Sequence, residues 1–394
     1  MLPSNSSTFN SEMNRPSRSI AQTRFRRRVL TVVLWTIAAS IGIDGLVGLV
    51  FRLPADVQNQ GSALQNYFDY GRSIEGKLRR LVGETSALDA PIVKAGWLSS
   101  ECDTEQLLPP DKLGIDVYGM SFTNKIADEV ERLNPGIVIR RFAGPGAPPN
   151  HSYACFLRRF EANRTLAPVQ ILGVLASSVR RMETISGLTT SFEGPTPFTY
   201  PRYSLTKTGY LEGHMPTITS EDDLRFALAD PRKWSEFEGD LAVNDYFYSR
   251  STFNSDFLDH SVIARMIRRA WGQRVVNDRT NALRPTEGFS GAPDIMPVLR
   301  AILVDFARKA RRRGTRPLVI LIEDRGYGGT VSAPTIPTLR ANGIEFISTS
   351  SIVAPSDSGN FVADGHFTST AFAKIAQAVL KLVGSAPVTD SSGQ

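Results

Sequence analysis

The chain has 394 residues, of which 41% are apolar and 21% charged; this ordinary globular composition excludes a wholly disordered protein. Most of the net charge of +6 comes from the first 52 residues, which hold seven basic and two acidic side chains. The remainder holds 38 basic and 37 acidic residues, and its basic run at 308–314 is typical of a helix C-terminus. This charge distribution argues against a nucleic-acid-binding protein.

The N-terminal region predicts a membrane anchor. Residues 1–23 are rich in Ser, Asn, Thr and Arg and are predicted to be a disordered cytoplasmic tail. Four of residues 24–28 are arginine. The stretch 29–51 then has 23 residues with one charge, Asp44, and is long enough for a transmembrane helix. The positive-inside rule leaves the N-terminus in the cytoplasm and everything after Arg52 outside.

A cleaved signal peptide and a buried core helix are the alternatives for this stretch. The apolar run exceeds the length of a signal-peptide core, and no small-residue cleavage pattern follows it, so an uncleaved anchor is favoured. We therefore predict a single-pass protein of a bacterial-type inner membrane, with its folded domain in the periplasm.

Two cysteines, Cys102 and Cys155, fit an exported domain, where disulfides persist. The sequence leaves open whether they are bonded to each other or buried separately. His151 stands four residues before Cys155, but a lone pair of this kind is a weak signal, so we expect no metal site and no cofactor.

After a predicted stalk or linker over residues 53–112, strand and helix patterns alternate. Apolar runs predict strands at 114–120, 136–143, 169–177, 317–323 and 344–349, with helices between them. This alternation predicts an α/β domain over 113–384, with a parallel sheet covered on both faces. An aromatic- and Pro-rich insertion interrupts it at about 186–290, and residues 385–394 are a predicted disordered tail.

Chemically useful residues follow several of the predicted strands. Ligands of an open parallel sheet bind beyond the carboxyl ends of its strands. Ser121 begins a helix there, where backbone N–H groups can stabilise an oxyanion. Gly144 follows the second strand, Ser177 ends the third, and Asp364 and His366 share the last loop. Together they predict a Ser–His–Asp nucleophilic site, although each alone also suits a helix cap or a polar turn.

The order of these segments resembles the SGNH/GDSL hydrolase superfamily. The matching stretches are "GMS" at 119–121, "FAGPG" at 142–146, "GVLASS" at 173–178 and "ADGHF" at 363–367, within about residues 113–180 and 315–384. Met120 stands where the family has Asp, and Ser177 stands where it has Asn. The Asp-x-His spacing resembles periplasmic O-acetyltransferases of exopolysaccharide systems.

The resemblance implies a three-layer α/β/α fold with flavodoxin-like strand order and assigns roles to five residues. Ser121 is the implied nucleophile, His366 the base and Asp364 its orienting acid, with Gly144 and Ser177 as oxyanion donors. The implied protein is a membrane-anchored serine hydrolase that acts on O-acyl, chiefly O-acetyl, groups of an envelope or exported polysaccharide through an acyl-serine.

Two alternatives remain open at this point. A polysaccharide O-acetyltransferase would use the same triad, and a non-catalytic glycan-binding or assembly relative would explain Met120 and Ser177. The expected partners are an acylated carbohydrate or other ester substrate, the membrane through one helix, and a polysaccharide modification or export system.

Overall fold

The structure, a computed structural model, describes residues 18–54, 61–82, 96–104, 106–284, 289 and 294–384. In that part of the chain the helices are α1 (Arg18–Val50), α2 (Ala63–Asp69), α3 (Ile74–Val82), α4 (Leu98–Cys102), α5 (Ser121–Leu133), α6 (Pro149–Glu161), α7 (Glu221–Ala229), α8 (Pro231–Asn244), α9 (Arg250–Phe253), α10 (Val262–Leu283), α11 (Ile295–Arg312), α12 (Ser332–Ala341) and α13 (Ser369–Gly384). The strands are β1 (Leu113–Gly119), β2 (Ile137–Ala143), β3 (Val169–Leu175), β4 (Arg202–Leu205), β5 (Leu211–His214), β6 (Arg316–Ile322) and β7 (Glu345–Ser348).

Five strands form one parallel sheet in the order β2-β1-β3-β6-β7. The predicted α/β class with a parallel sheet is confirmed, and all five predicted strands are present. The third strand ends at Leu175, two residues before the predicted end, so Ser177 lies in the 3₁₀ turn that follows. Because every pair is parallel, the carboxyl ends of the five strands lie along one edge of the sheet.

Helices cover both faces of the sheet. Alternate strand side chains point to opposite faces, so Ile115 and Val117 join the cluster beneath α5 and α13, and Tyr118 joins the cluster beneath α6 and α11. Each fully buried aliphatic side chain of these clusters contributes about 1.5–3 kcal/mol relative to exposure. The two apolar clusters therefore hold the sheet, and with it the loops at its carboxyl edge.

A buried carboxylate lies in the middle of β1. Asp116 is fully buried and accepts hydrogen bonds from Arg140 Nε at 2.6 Å and Nη2 at 2.9 Å, Ala167 N at 2.8 Å and Gln170 Nε2 at 2.9 Å. Arg140 also donates to the Thr165 carbonyl at 2.8 Å. A buried charge needs such complete pairing. The network joins β1 and β2 to β3 and to the residues just before β3, away from the carboxyl edge of the sheet.

The predicted insertion contains the β4–β5 hairpin and helices α7 to α10. Its apolar side chains form a third cluster, which includes Trp234, Phe237 and Phe253. Ile74 and Leu78 of α3 belong to the same cluster, so part of the predicted stalk folds against the insertion.

The ends of the chain differ in part from the sequence expectations. Helix α1 begins at Arg18, within the predicted tail 1–23, and residues 1–17 lie outside the described residues. The predicted tail at 385–394 lies outside them as well.

Helix α1 carries a 26-residue stretch, Phe25–Val50, that is long and apolar enough to cross a membrane. Its mean hydropathy is 1.9, and its most apolar window is not buried against the rest of the protein. The acidic Asp44 accepts hydrogen bonds from Ile263 N at 2.7 Å and Ser261 Oγ at 3.1 Å. The carboxylate thus caps the N-terminus of α10, where the helix dipole favours negative charge.

The two cysteines are bonded to each other in this structure. The disulfide Cys102–Cys155 joins the short helix α4 to α6 across a sequence separation of 53 residues. Because α6 follows the loop that contains Gly144, this bond fixes one side of the carboxyl edge.

Candidate active site

The turn from β1 into α5 presents Ser121 at the carboxyl edge of the sheet. Met120 is extended, with φ −141° and ψ −168°, and Ser121 is the first residue of α5. A Cβ atom at Gly119 would lie 2.3 Å from Thr123 Oγ1, and one at Gly173 would lie equally close. The turn therefore needs glycine on both neighbouring strands, because Thr123 fills the space between them.

The last loop presents His366 opposite this turn. Phe361 and Phe367 pair as an antiparallel bridge, and Val362 N donates to the His366 carbonyl at 2.8 Å. Gly365 has a φ of +88°, in the left-handed region that glycine adopts without steric cost. A short hairpin-like turn thus holds the histidine backbone in place.

The structure brings Ser121, His366 and Asp364 together. Ser121 Oγ lies 2.8 Å from His366 Nε2, and His366 Nδ1 lies 3.2 Å from Asp364 Oδ2. The His366 ring stacks on Phe122 with its centroid 4.6 Å away, which restricts the orientation of the ring. With its Nδ1 proton on the aspartate side, the imidazole has Nε2 free to accept the serine proton.

Asp364 remains ionised in this arrangement. The backbone N–H of His366, 3.0 Å from Asp364 Oδ1, holds the pKa of the carboxyl below its ordinary value, and the imidazole acts in the same direction. The Asp364 side chain is 68% exposed, whereas that of His366 is 28% exposed. The acid is therefore a solvated partner of the histidine, unlike the buried aspartate of many serine hydrolases.

Gly144 lies beside the serine turn. Gly119 pairs with Ala143 in the register of β1 and β2, so Gly144 is the next residue along the same edge. It is buried, and a Cβ atom there would lie 3.0 Å from His151 Cε1 and 3.4 Å from Gly96 Cα. These close approaches favour glycine at this position, because a larger residue would have to displace the His151 ring slightly.

Ser177 hydrogen-bonds to a carboxylate of the protein, whereas its predicted role is to donate to a substrate oxyanion. Its backbone N–H donates to Asp324 Oδ1 at 3.1 Å, and its side chain also contacts this carboxylate. Burial raises the pKa of Asp324, and the bonds from Ser177 oppose this effect. Met120, which stands at the Asp position of the resembled family, is fully buried in the apolar cluster beneath α5.

Sequence reasoning missed Asp324 and left His151 out of the site. Asp324 directly follows the strand residues 317–323, so the rule for strand carboxyl ends was a signal that could have found it. His151 is fully buried next to Gly144, with Nε2 3.0 Å from the Gly96 carbonyl, and its Nδ1 has no partner among the described residues. Nothing in the local sequence pattern indicates that contact.

The Ser121–His366 pair lies outside a large cavity that the described residues form. A cavity of about 820 Å³ is lined by residues of α6, α11 and the β4–β5 hairpin and by none of Ser121, Gly144 and His366. Among the described residues, no group of three His, Cys, Asp or Glu side chains is placed to hold a metal ion. The site is thus a partly exposed serine–histidine pair at a sheet edge.

Comparison of the chain with protein-family models, curated proteins and solved structures finds no match. The assignment of a function therefore depends on the residues and geometry described above.

His151 should make folding stability depend on pH. Burial lowers the pKa of His151 from 6.5 to about 4, so the folded protein keeps the ring neutral where the unfolded chain takes up a proton. Between pH 6.5 and 4 the stability linked to this residue is lost as the pH falls, by up to about 1.4 kcal/mol per pH unit.

The matched variant is His151→Gln, which keeps a donor for the Gly96 carbonyl and does not titrate. Urea unfolding at several pH values should show wild-type stability falling relative to the variant as the pH drops from 7 to 4. Asp245, whose pKa burial raises to about 6, acts in the opposite direction and is common to both proteins. A stability difference that is constant with pH would contradict the prediction.

Proposed function

We propose that this chain is a membrane-anchored serine hydrolase of SGNH type that acts on ester groups of an envelope or exported polysaccharide. The observation that carries the proposal is the contact of Ser121 Oγ with His366 Nε2 at 2.8 Å, with Asp364 at Nδ1. A serine, a base and an acid in this sequence of contacts are the parts of an acyl-transfer site. The strand order and the helices on both faces are compatible with the three-layer arrangement of that superfamily.

In the proposed mechanism, His366 Nε2 accepts the proton of Ser121 as the serine oxygen attacks the ester carbonyl. Asp364 keeps the second ring proton on Nδ1 and stabilises the charged imidazole. His366 then donates its proton to the leaving sugar oxygen, which leaves an acyl-serine. Water releases the acyl group in a hydrolase, and a sugar hydroxyl takes it in an O-acetyltransferase, with the same protein residues.

The oxyanion of the tetrahedral intermediate needs donors next to Ser121. The N-terminus of α5 offers the Ser121 N–H with the favourable end of the helix dipole, and the neighbouring backbone of Gly144 offers a second donor. In the proposal the Ser177 hydroxyl is the third donor, and it must turn from Asp324 to serve. A missing oxyanion donor costs about 2.7–4 kcal/mol of transition-state stabilisation.

The proposed substrate and location follow from exposure and from α1. The catalytic pair is partly exposed at an open edge, which suits an ester on a long polymer better than a small enclosed ligand. The apolar stretch Phe25–Val50 after an arginine cluster supports an inner-membrane anchor with the N-terminus in the cytoplasm and the site in the periplasm. A polysaccharide modification or export system would be the partner there.

A non-catalytic glycan-binding or assembly protein is the second candidate. The observations that favour it are the contact of Ser177 with Asp324 and the buried Met120, because both remove features that the resembled enzymes use. In this case Ser121 would be an unreactive helix-terminal serine.

One labelling experiment tests both the chemistry and the location. A membrane-impermeant fluorophosphonate added to intact spheroplasts should modify the wild-type chain and should not modify Ser121→Ala. Ser369→Ala is the matched control, because Ser369 is the first residue of α13 just as Ser121 is the first residue of α5. This control should label like the wild type.

The outcomes separate the two parts of the proposal. Labelling that occurs only after lysis would reject the periplasmic location and keep the hydrolase. Absence of any adduct on the folded, lysed sample would reject the hydrolase and favour the binding protein.

A further inference from the structure

The first three turns of α10 expose an apolar surface. Ile263, Met266, Ile267 and Trp271 recur at helical spacing and are 41–67% exposed. We call these four residues the apolar face of α10. Contiguous exposed apolar residues of this kind mark a surface that another phase or partner covers.

The opposite side of the same turns is charged. Arg265, Arg268 and Arg269 point into the domain and form ion pairs there. Their N–O distances are 2.7 Å to Asp69, 2.5 Å to Asp259 and 2.6 Å to Glu193. A surface helix of a water-soluble domain buries its apolar side and exposes its charges, so this segment has the reverse arrangement.

Contacts with α1 determine where the start of α10 lies along the length of the apolar helix. Asp44 accepts hydrogen bonds from Ser261 and from Ile263 N, and a Cβ atom at Gly48 would touch Val262 at 3.5 Å. Asp44 lies about 9 Å before the end of α1 at Val50, at 1.5 Å per residue. The start of α10 is therefore level with the last two turns of the apolar helix.

We propose that the apolar face of α10 lies in the lipid interface of the leaflet on the domain side, next to α1. Interfacial helices bury their apolar side about 5–10 Å into the boundary between headgroups and acyl chains, which agrees with the depth that Asp44 sets. Trp271 is the last residue of the apolar face along α10, and tryptophan is enriched at this boundary. The inference rests on the membrane anchoring proposed above.

The exposed residues of α10 change character where the helix would leave the lipid. After Trp271 the exposed positions become polar, with Arg274, Asn277 and Asp278. The short helix α2 also has exposed Leu64 and Tyr67, and Arg269 of α10 lies over the Tyr67 ring at 4.7 Å. A second attachment of this kind would fix the orientation of the domain on the bilayer, which a single helix leaves free.

The test uses the full chain in vesicles of phosphatidylethanolamine and phosphatidylglycerol. Both cysteines of the sequence form the disulfide, so one introduced cysteine is the only free thiol for an environment-sensitive dye. The labelled positions are Ile267→Cys in the apolar face, Asp278→Cys as an equally exposed control on the same helix, and Leu34→Cys in α1. Equal melting temperatures of the three proteins would show that the fold is kept.

Quenching by nitroxide-labelled lipid and by aqueous iodide then distinguishes the environments. We expect the dyes at 34 and 267 to be quenched by the lipid and protected several-fold from iodide, and the dye at 278 to show the reverse. Lipid quenching at 34 with iodide quenching at 267 would overturn the inference and leave the anchor intact. Protection of 267 from both quenchers would overturn it in favour of a protein partner, and lack of lipid quenching at 34 would reject the anchor itself.

Discussion

Replacing either Ser121 or His366 with alanine is expected to abolish ester turnover to a similar degree, by roughly four to six orders of magnitude in kcat. The two side chains form one hydrogen-bonded unit, with Ser121 Oγ 2.8 Å from His366 Nε2, so the double variant should be no slower than either single one. Steady-state hydrolysis of an aryl acetate by the purified proteins measures the effect.

Asp364→Asn should cause a smaller loss than the two alanine variants. The carboxylate orients the imidazole, but stacking on Phe122 restricts the same ring as well. The Asp364 side chain is also mostly exposed to solvent. If the loop only capped α13, His366→Ala would keep full activity and Asp364→Asn would lower only the melting temperature. Wild-type turnover in Ser121→Ala or His366→Ala would therefore end the triad hypothesis.

Removal of the Asp116 carboxylate should lower the free energy of unfolding strongly. Asp116→Ala leaves Arg140 buried without its ion pair, and breaking a buried pair in this way costs about 3–5 kcal/mol. Urea unfolding followed by circular dichroism measures this loss. Turnover by the folded fraction should not change, because Asp116 lies about 16 Å along the chain from Ser121 at a strand-like rise per residue.

The matched control for Asp116 is a partly exposed ion pair on α5. Glu129→Gln removes a carboxylate, 19% exposed, that bonds the 61% exposed Arg132, and it should destabilise the protein much less than Asp116→Ala does. A loss of similar size in the two variants would contradict the role assigned to the Asp116 network.

The sequence alone predicts the parts of the fold that depend on local residue patterns. Each strand of the sheet is a short apolar run with glycine, proline or polar residues at both ends. Its position can therefore be predicted from the composition of a few neighbouring residues. Ser121 could be selected because it lies where such a run ends, next to a helix, and His366 because it lies with Asp364 in the loop before the last helix. Their contact joins positions 245 residues apart, and only the parallel order of the strands brings them to one edge.

Contacts between distant segments could not be predicted in the same way. The partner of Asp44 is the start of α10, more than 200 residues later, and the partner of Ser177 is Asp324. The partner of the His151 ring is the carbonyl of Gly96, 55 residues earlier. In each case the three-dimensional path of the chain, rather than local propensity, selects the partner.

The position of the insertion in the strand order has a consequence for how the chain folds. Strands β1 and β2 are close in sequence, but β3 must pair with β6 across about 140 residues from Leu175 to Arg316. Closing the longer loop costs nearly 2 kcal/mol more entropy than closing the shorter one in a simple chain estimate. During synthesis, β1 to β3 emerge long before β6, and β3 then has an unpaired apolar edge of the kind that promotes aggregation. Formation of the cluster around Trp234 and Phe237 in that interval would shorten the effective loop that β6 has to close.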